Sequence, residues 1–514
     1  MLELHPVVTA GCLPRRAVVG AAPPAYQASP SPRSRSSGKA IDGLRRDLDA
    51  IFGAAIMDQG QWGVVVHSVD RADRLYDRNS RKLMVPASNM KIVTLAAAAQ
   101  AMGWDARFPT ILETTAAVED GTLRGDLYVR GGGDPTINSR NGRAEAVFNE
   151  WASALAAAGV RRIDGRLVGD DNLFDDEILG AGWAWDYLQY GYAAPIGALQ
   201  YNENVGTLVV TPGAAAGVPA TISLTLGTGL TVANRTLTAE AGTAEAIDYR
   251  RFLDRPVLEV TGTVPLPPPQ PAPAGTAVRI AGRDVAVINP TVYFVQAFKD
   301  ALIARGIAVT GDVVDIDDLP AAAATADRRA IVRSESPPLR DIATVMMKVS
   351  QNLYADTLLK ALGVTAGGSG TVAAGRDVVL KALRDWKIDE RALVMADGSG
   401  LSRYNYVTAE LITALLERMH ADPRHRDIFA ATLAIAGKDG TVSTRMRRSR
   451  AEGNARVKTG SISNMRALSG YVRTRDGETL AFSILANDFT IPAATVNWIA
   501  DLAVEVLANF TRHL

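Results

Sequence analysis

The stretch VPASNMKIVTLAAAAQAM, residues 85–102, decides how the chain is organised. It is rich in alanine, has no glycine or proline after Pro86 and stops at Gly103, which predicts a largely buried helix beginning near Ser88. Ser88 and Lys91 are three residues apart and therefore face the same side of that helix. A serine hydroxyl is a poor nucleophile until a neighbouring base takes its proton. With no histidine nearby in the sequence, Lys91 is the candidate base.

Two other short motifs follow in a fixed order. Ser350-Gln351-Asn352 falls within residues 338–363, which the pattern predicts to be helical, and Lys458-Thr459-Gly460-Ser461 leads into a strand pair. Each motif alone is equally well explained as a helix cap, a polar helix position or a turn. The ordered set of three is far more specific, because each motif sits where acyl transfer to a serine requires it.

The pKa of Lys91 must fall before this lysine can accept a proton. Bringing a lysine from its usual pKa of ~10.4 to about 7 takes ~4 kcal/mol of differential stabilisation. Burial and a second cation both favour the neutral amine, and Lys458 is the predicted second cation. Ser350 can relay a proton toward a leaving group, while Asn352 can hold Lys91 and a substrate amide through hydrogen bonds.

The third motif is suited to substrate binding. Lys458 and Thr459 can bind a free carboxylate, and Gly460 is expected to let substrate lie close against the strand. The backbone N–H groups of Ser88 and Ser461 are predicted to form an oxyanion hole. No G-x-S-x-G elbow, GxGxxG or P-loop stands out beside this set.

Composition excludes several other classes of protein. The 514 residues carry 55 basic and 55 acidic side chains, and 47% of them are hydrophobic. A nucleic-acid binder usually has a basic excess, and a disordered chain is less hydrophobic. No apolar run reaches the ~18 residues of a spanning helix. One cysteine and five histidines without an H-x-x-x-H pair predict no disulfide and no cysteine or histidine metal site.

Residues 1–40 are predicted to be a leader or disordered tail, because prolines alternate with serines there. Arg15-Arg16 followed by the short apolar run Ala17–Ala22 has the outline of an export signal. An unstructured leader or a misassigned start codon explains the same residues. The tail alone therefore leaves export open.

Strand pairs near both ends of the chain predict one sheet that both ends complete. The first pair is Gly63–Val69 with Arg74–Tyr76, and the second is Ala467–Thr474 with Thr479–Ala486 around an Asp-Gly turn. Residues 290–306 and 338–363 are predicted helices, and another runs from Pro492 to Phe510. Within 205–285 the pattern predicts short strands and a stiff proline-rich loop, namely Thr207–Val210, Thr221–Leu226, Val278–Ile280 and Pro265–Pro273.

The ordered motifs resemble those of the penicillin-recognising serine enzymes, and their surroundings narrow the resemblance to one family. The chain resembles the D-alanyl-D-alanine carboxypeptidase/endopeptidase family, the class C low-molecular-mass penicillin-binding proteins. The long gap between Ser88 and Ser350 is similar to the gap that holds the extra domains of that family. Four further segments carry the resemblance: Gly125–Leu127 with Gly131–Thr136, Gly165–Asp170, Asp397–Arg403 and Gly437–Thr441.

The resemblance implies an α+β fold, an α/β sandwich with a five-stranded sheet. A β-lactamase/transpeptidase-like catalytic domain would comprise residues 41–108 and 336–514. An inserted domain would comprise 109–204 and 286–335, with a nested, mostly β domain at 205–285.

The resemblance also implies the chemistry. Ser88 would be acylated by the penultimate D-Ala of a peptidoglycan peptide and then freed by hydrolysis, with β-lactam antibiotics as covalent inhibitors. Neither a metal nor an organic cofactor is implied, and the substrate places the enzyme outside the cytoplasm, in the periplasm or secreted. The alternatives are a serine β-lactamase and a noncatalytic cell-wall scaffold of the same fold. No glutamate between 352 and 458 has an asparagine four residues later, as a class A β-lactamase would require.

Two other segments are open to two interpretations. Asp186 lies among aromatic residues that suit a side chain ending in an ammonium, and the resemblance implies such a pocket beside the active site; the alternative is a cluster that packs one domain on another. Asp397-Gly398-Ser399-Gly400 has the composition of a tight turn, and the alternative is a loop that shapes the rim of the site. The aromatic residues in question are Trp183, Trp185, Tyr187, Tyr190 and Tyr192.

Overall fold

The computed structural model describes residues 35–268, 281–324 and 327–513. Most of the predicted leader, the prolines at 269, 271 and 273 of the proline-rich loop, and the predicted strand Val278–Ile280 lie outside these ranges. None of the described helices has the length and apolar character needed to cross a membrane.

A six-stranded antiparallel sheet joins the two ends of the chain. Both predicted hairpins are present, and they meet where Gln61–Ser68 pairs with Thr479–Asn487. The sheet has one strand more than the resemblance implies, because the two-residue strand Ala434–Ile435 adds to its edge. In spatial order the strands are Asp73–Arg78, Gln61–Ser68, Thr479–Asn487, Met465–Arg473, Arg456–Ile462 and Ala434–Ile435.

Helices cover both faces of this sheet, as the alternation of its side chains shows. Val64 and Val66 pack into one core and Val65 into the other, since successive residues of a strand point to opposite faces. The first core is closed by two helices, Arg35–Phe52 and Ala493–Asn509. The second is closed by six helices: Met90–Met102, Leu339–Lys348, Asn352–Thr365, Val372–Asp385, Ala409–Ala421 and Arg426–Thr432.

The helix Arg35–Phe52 corrects the predicted boundary of the leader. Residues 35–40, assigned to the tail from the sequence, form its first turns. Ala40, Leu44 and Leu48 recur every four residues and are buried on one stripe against the C-terminal helix. The apolar stripe begins too close to the proline-rich segment for composition alone to separate the two.

The predicted helix 338–363 is interrupted. It consists of Leu339–Lys348 and Asn352–Thr365, and Ser350 between them has a left-handed φ of 64°. Gln351 caps the second helix, because its side-chain oxygen accepts a hydrogen bond from the Leu353 N–H at 3.0 Å. The prediction of one continuous helix is therefore wrong, and the break lies at a motif residue.

Between Met102 and Leu339 the chain builds separate sheets. A five-stranded sheet packs against two helices, Arg143–Ala157 and Pro290–Ala304, and its strands in order are Val313–Asp315, Leu167–Asp170, Leu127–Arg130, Pro109–Thr114 and Arg329–Glu335. A small sheet holds Ala308–Val309, Arg162–Ile163, Thr122–Leu123 and Val118–Glu119. Two three-stranded sheets lie within 205–286: Thr221–Leu224, Val205–Thr211 and Ala281–Ala286, then Thr231–Ala239, Val257–Pro265 and Ala246–Arg251. The domain boundaries given above stay a prediction.

Candidate active site

The first motif forms a tight turn at the start of the buried helix. Ala87–Asn89 is one 3-10 turn that continues directly into Met90–Met102, so the helix begins where the sequence predicts. Ala87 has a positive φ of 46° and is fully buried. A Cβ on Gly400 would lie 1.8 Å from the Ala87 carbonyl oxygen, so only glycine fits against this turn.

Lys91 is completely buried and all three of its N–H bonds are used. Its Nζ donates to Ser88 Oγ at 2.9 Å, to Asn352 Oδ1 at 2.6 Å and to the Ser399 carbonyl at 2.8 Å. An ammonium has three donors and no acceptor, so these contacts satisfy it fully. Deprotonation leaves a lone pair on Nζ that can take the Ser88 proton.

The environment of Lys91 favours loss of its proton. Burial lowers the pKa of Lys91 to about 8, while the carboxylates of Asp356 and Asp397 oppose that shift. About one tenth of the molecules then carry a neutral Lys91 at pH 7. The sequence predicts that Lys458 lowers the pKa of Lys91. Instead, burial and then repulsion from Lys91 lower the pKa of Lys458 itself.

Lys458 connects the second and third motifs. Its buried Nζ donates to Ser350 Oγ at 2.8 Å and to the Thr459 carbonyl at 2.9 Å. The left-handed turn at Ser350 directs the hydroxyl between the helices toward the strand Arg456–Ile462. The three motifs, each more than a hundred residues from the next in the sequence, are therefore joined by hydrogen bonds.

Ser88, Ser350 and Asn352 open onto one cavity of about 490 Å³, and the buried Lys91 and Lys458 lie behind its lining. Ser88 and Ser461 both line it, as the oxyanion-hole hypothesis requires, and Thr459 Oγ1 meets Thr441 Oγ1 at 2.7 Å on its wall. The other lining residues are Tyr187, Tyr192, Ser350, Asn352, Gly400, Leu401, Arg445, Ile462, Ser463 and Asn497.

Gly460 has a structural role that differs from the expected one. A Cβ at this position would lie 2.7 Å from the Pro86 carbonyl oxygen and 3.1 Å from Ala87 Cβ. The glycine therefore allows its strand to pack against the Ser88 turn. These contacts do not test the expectation that Gly460 lets substrate lie close against the strand.

Asp186 lies near the cavity but its side chain is exposed, in the short turn Trp185–Tyr187. Its neighbours Tyr187 and Tyr192 line the cavity with ring centroids 5.6 Å apart. Burial first, and then nearby groups that include Asp186, raise the pKa of Tyr192. The Tyr192 carbonyl accepts from Asn352 Nδ2 at 2.8 Å, which ties this aromatic segment to the second motif.

Hydrogen bonds to the Asp397 side chain stabilise the turn that contains it. The buried Asp397 carboxylate accepts from the N–H groups of Gly400 at 2.7 Å and Ser402 at 2.6 Å, and from Asn405 Nδ2 at 2.7 Å. It also accepts from Trp183 Nε1 at 2.9 Å. These contacts favour the interpretation of the segment as a tight turn.

Sequence reasoning missed two contributors to the site. The Ser399 carbonyl is a backbone group, and no residue type in the sequence indicates its role. Asp356 follows Asn352 by one helical turn and is buried beneath the site. A single acidic residue in an apolar helix belongs to no recognisable motif.

One acidic cluster lies away from the cavity lining. Asp171, Asp315 and Asp317 have carboxylate oxygens within 4.8 Å of one another. Burial raises the pKa of Asp171 to about 7 and that of Asp317 to about 6. Asp171 can therefore take up a proton near neutral pH.

Comparisons with known proteins identify a family and several relatives of this chain. The model of the D-Ala-D-Ala carboxypeptidase 3 (S13) family matches residues 44–509. The D-alanyl-D-alanine carboxypeptidase of Actinomadura sp. (strain R39) is 35% identical over 495 residues, which cover 93% of this chain and 87% of that protein. The D-alanyl-D-alanine carboxypeptidase DacB of Haemophilus influenzae is 26% identical over 83% of this chain and 85% of its own length.

A solved structure shows the same fold. The crystal structure of penicillin binding protein 4 (dacB) from Haemophilus influenzae matches with a TM-score of 0.75 at 24% identity, over 90% of this chain and 99% of that one. This match confirms the α+β fold class and the transpeptidase-like architecture predicted from the motifs. The chain belongs to the D-Ala-D-Ala carboxypeptidase 3 (S13) family.

Proposed function

We propose that this protein is a serine DD-peptidase that acts on peptidoglycan peptides through an acyl-enzyme on Ser88. It cleaves the terminal D-Ala-D-Ala bond as a carboxypeptidase, D-Ala-diamino acid cross-links as an endopeptidase, or both. The observation that carries the proposal is the contact of 2.9 Å between Ser88 Oγ and the buried Lys91 Nζ, at the floor of a cavity, in a member of this family.

Acylation begins when neutral Lys91 accepts the Ser88 proton. The Ser88 oxygen attacks the carbonyl carbon of the penultimate D-Ala, and the N–H groups of Ser88 and Ser461 stabilise the negative charge on the carbonyl oxygen. The bond to the terminal residue then breaks, and the leaving amine takes a proton from the Ser350 hydroxyl. Lys458, in contact with Ser350 Oγ, replaces that proton.

Hydrolysis completes the cycle. After acylation Lys91 releases its extra proton to solvent and Lys458 regains one from solvent. Water then attacks the Ser88 ester carbonyl and gives a proton to the neutral Lys91, which passes it to the departing Ser88 oxygen, and the peptide leaves as a carboxylate with its acid proton released to solvent. Asn352 holds Lys91 in place throughout, since its Oδ1 accepts from Nζ while its Nδ2 donates to the Tyr192 carbonyl. No step requires a metal or an organic cofactor.

The free carboxylate of the substrate is placed beside Lys458 and Thr459. The low pKa of Lys458 arises from burial and from Lys91. A bound carboxylate favours the ammonium form, so substrate binding and protonation of Lys458 assist each other. β-lactams carry a carboxylate in the corresponding position, which supports their role as covalent inhibitors. A substrate of this kind places the protein outside the cytoplasm.

A fluorescent penicillin such as bocillin tests the proposal. We expect one adduct, on the peptide that contains Ser88, and no adduct on the Ser88→Ala variant. Ser334→Ala, on a strand of the five-stranded sheet, is the matched control and should be labelled normally. An adduct that survives Ser88→Ala refutes the assignment of the nucleophile. A label that is lost within seconds supports a β-lactamase instead, and an unlabelled parent protein supports a scaffold.

A further inference from the structure

Asp356 is a buried carboxylate to which the mechanism above gives no task. It lies on the helix Asn352–Thr365, one turn after Asn352 and on the same side, and only 1% of its surface is exposed. Burying a carboxylate is costly unless hydrogen bonds compensate it. Its Oδ1 accepts from the N–H groups of Gly398 at 2.8 Å and Ser399 at 2.9 Å.

The same peptide segment reaches Lys91 from its other side. Ser399 donates its N–H to Asp356 and offers its carbonyl to Lys91 Nζ at 2.8 Å. The segment is tightly wedged, because a Cβ on Gly398 would lie 2.5 Å from the Ala355 carbonyl oxygen. On its other flank Gly400 abuts the Ser88 turn, as described above. The Ser399 N–H and C=O belong to two adjacent peptide units joined at the Ser399 Cα, so a displacement of Ser399 would disturb its contact with Asp356 and its contact with Lys91 together.

We propose that Asp356 is a positioning residue, which fixes the Ser399 carbonyl and thereby aims Lys91 at Ser88. The inference rests on the proposed function, in which Lys91 is the base. One helix then controls two acceptors of the Lys91 amine: Asn352 supplies its own side chain, and Asp356 one turn later holds Ser399, whose carbonyl is the other acceptor. The third acceptor is Ser88 itself, so the direction of the amine is determined from both sides.

Charge gives this arrangement a second consequence. Three ionisable groups on the surrounding elements interact with Lys91: Asp356 on its helix, Asp397 on the turn and Lys458 on the strand. Burial, and then Asp397, raises the pKa of Asp356, whereas the Lys91 ammonium favours its ionised form. Removing the Asp356 charge therefore makes the Lys91 ammonium harder to maintain and moves its loss of a proton to lower pH.

Two substitutions separate geometry from charge. Asp356→Asn keeps a side-chain oxygen that can accept from both N–H groups, so the Ser399 carbonyl stays in place while the charge disappears. Asp356→Ala removes both the acceptor oxygen and the charge. Thr413→Val is the matched control, because the buried Thr413 Oγ1 donates to the Ala409 carbonyl at 2.9 Å, within the helix Ala409–Ala421 and outside the Gly398–Ser399 segment.

The first readout is the rate of acylation by fluorescent penicillin per folded molecule, measured across pH. We expect Asp356→Asn to keep the rate at high pH within about threefold of the parent protein and to move the acidic limb down by about one pH unit. Asp356→Ala should lose about 100-fold or more, within the range expected when a general base is misplaced. Thr413→Val should keep the parent profile. An unmoved limb in Asp356→Asn, or an Asp356→Ala rate equal to that of Thr413→Val, overturns the proposal.

A structural readout keeps the inference separate from the function on which it rests. In crystals of Asp356→Asn the Ser399 carbonyl should remain within hydrogen-bond distance of Lys91 Nζ, and in crystals of Asp356→Ala it should turn away. Retention of that contact in Asp356→Ala overturns the positioning role, whether or not Ser88 reacts with penicillin. If Asp356→Ala does not fold, the pH profile and the crystal structure of Asp356→Asn decide. Failure of the parent protein to be acylated contradicts the proposed function and leaves the structural readout intact.

Discussion

The pH dependence of acylation follows directly from the burial of Lys91. Only the neutral amine accepts the Ser88 proton, and the pKa of Lys91 is about 8. The neutral fraction is then about 1% at pH 6, about 9% at pH 7 and about 50% at pH 8. We therefore expect the acylation rate to rise about 50-fold from pH 6 to pH 8 and to level off above pH 9. An exposed lysine would instead produce a limb near pH 10.4.

The assay is the second-order rate of labelling by a fluorescent penicillin from pH 5.5 to pH 9.5, at constant ionic strength. The carboxylate of the penicillin stays ionised throughout, so the limb reports the protein. Lys91→Met should reduce the rate by roughly 100-fold to 10,000-fold at every pH, because it removes the base.

A matched control separates the base from the general cost of altering a buried lysine. Lys360 is also fully buried, but it is held by Asp175 and lies outside the cavity lining. Lys360→Met should lower stability and leave the limb near pH 8. A parent profile that is flat between pH 6 and pH 8, or a Lys91→Met variant that still labels at the parent rate, refutes the assignment of Lys91 as the base.

Three other predictions concern the substrate and the turn. Lys458→Ala should impair ester substrates that carry the terminal carboxylate about tenfold more than those that lack it; equal losses contradict carboxylate binding. Asp186→Asn should weaken turnover of peptides with a free side-chain ammonium and spare both N-acetylated peptides and penicillin acylation, whereas equal losses on both peptide types make Asp186 structural. Asp397→Ala should lower the free energy of unfolding in urea by about 3 kcal/mol, because it leaves buried N–H groups unpaired. Unchanged stability with reduced turnover would instead support the rim interpretation.

Local sequence patterns were sufficient for the elements that carry the site. Both hairpins, the buried helix that starts at the Ser88 turn and the C-terminal helix are present within a few residues of their predicted positions. Each depends on a periodicity or a turn signal contained in one short segment. The spacing of Ser88 and Lys91 also predicted their contact, because three residues on a helix return to the same side.

The break at Ser350 was beyond local reasoning. The residues around it include neither glycine nor proline, so the pattern continues through a point where the backbone turns left-handed. The contacts of Ser350 with Lys458 and of Asn352 with Lys91 stabilise that conformation. Each lysine is more than a hundred residues away from its partner in the chain. A helix propensity averaged over neighbours contains no information about them.

The sequence by itself determined the catalytic residue types, their order, the hairpins that unite the chain ends and the family resemblance. Only the tertiary structure decided the electrostatics. Burial lowers the pKa of Lys91, and repulsion from Lys91 contributes to the low pKa of Lys458. Asp356 holds Ser399, whose backbone carbonyl accepts from Lys91. The physical reason is one of range. Turns and periodicities arise from neighbours in the chain, whereas burial and charge depend on every segment that packs around a group, and those segments meet only in the folded protein.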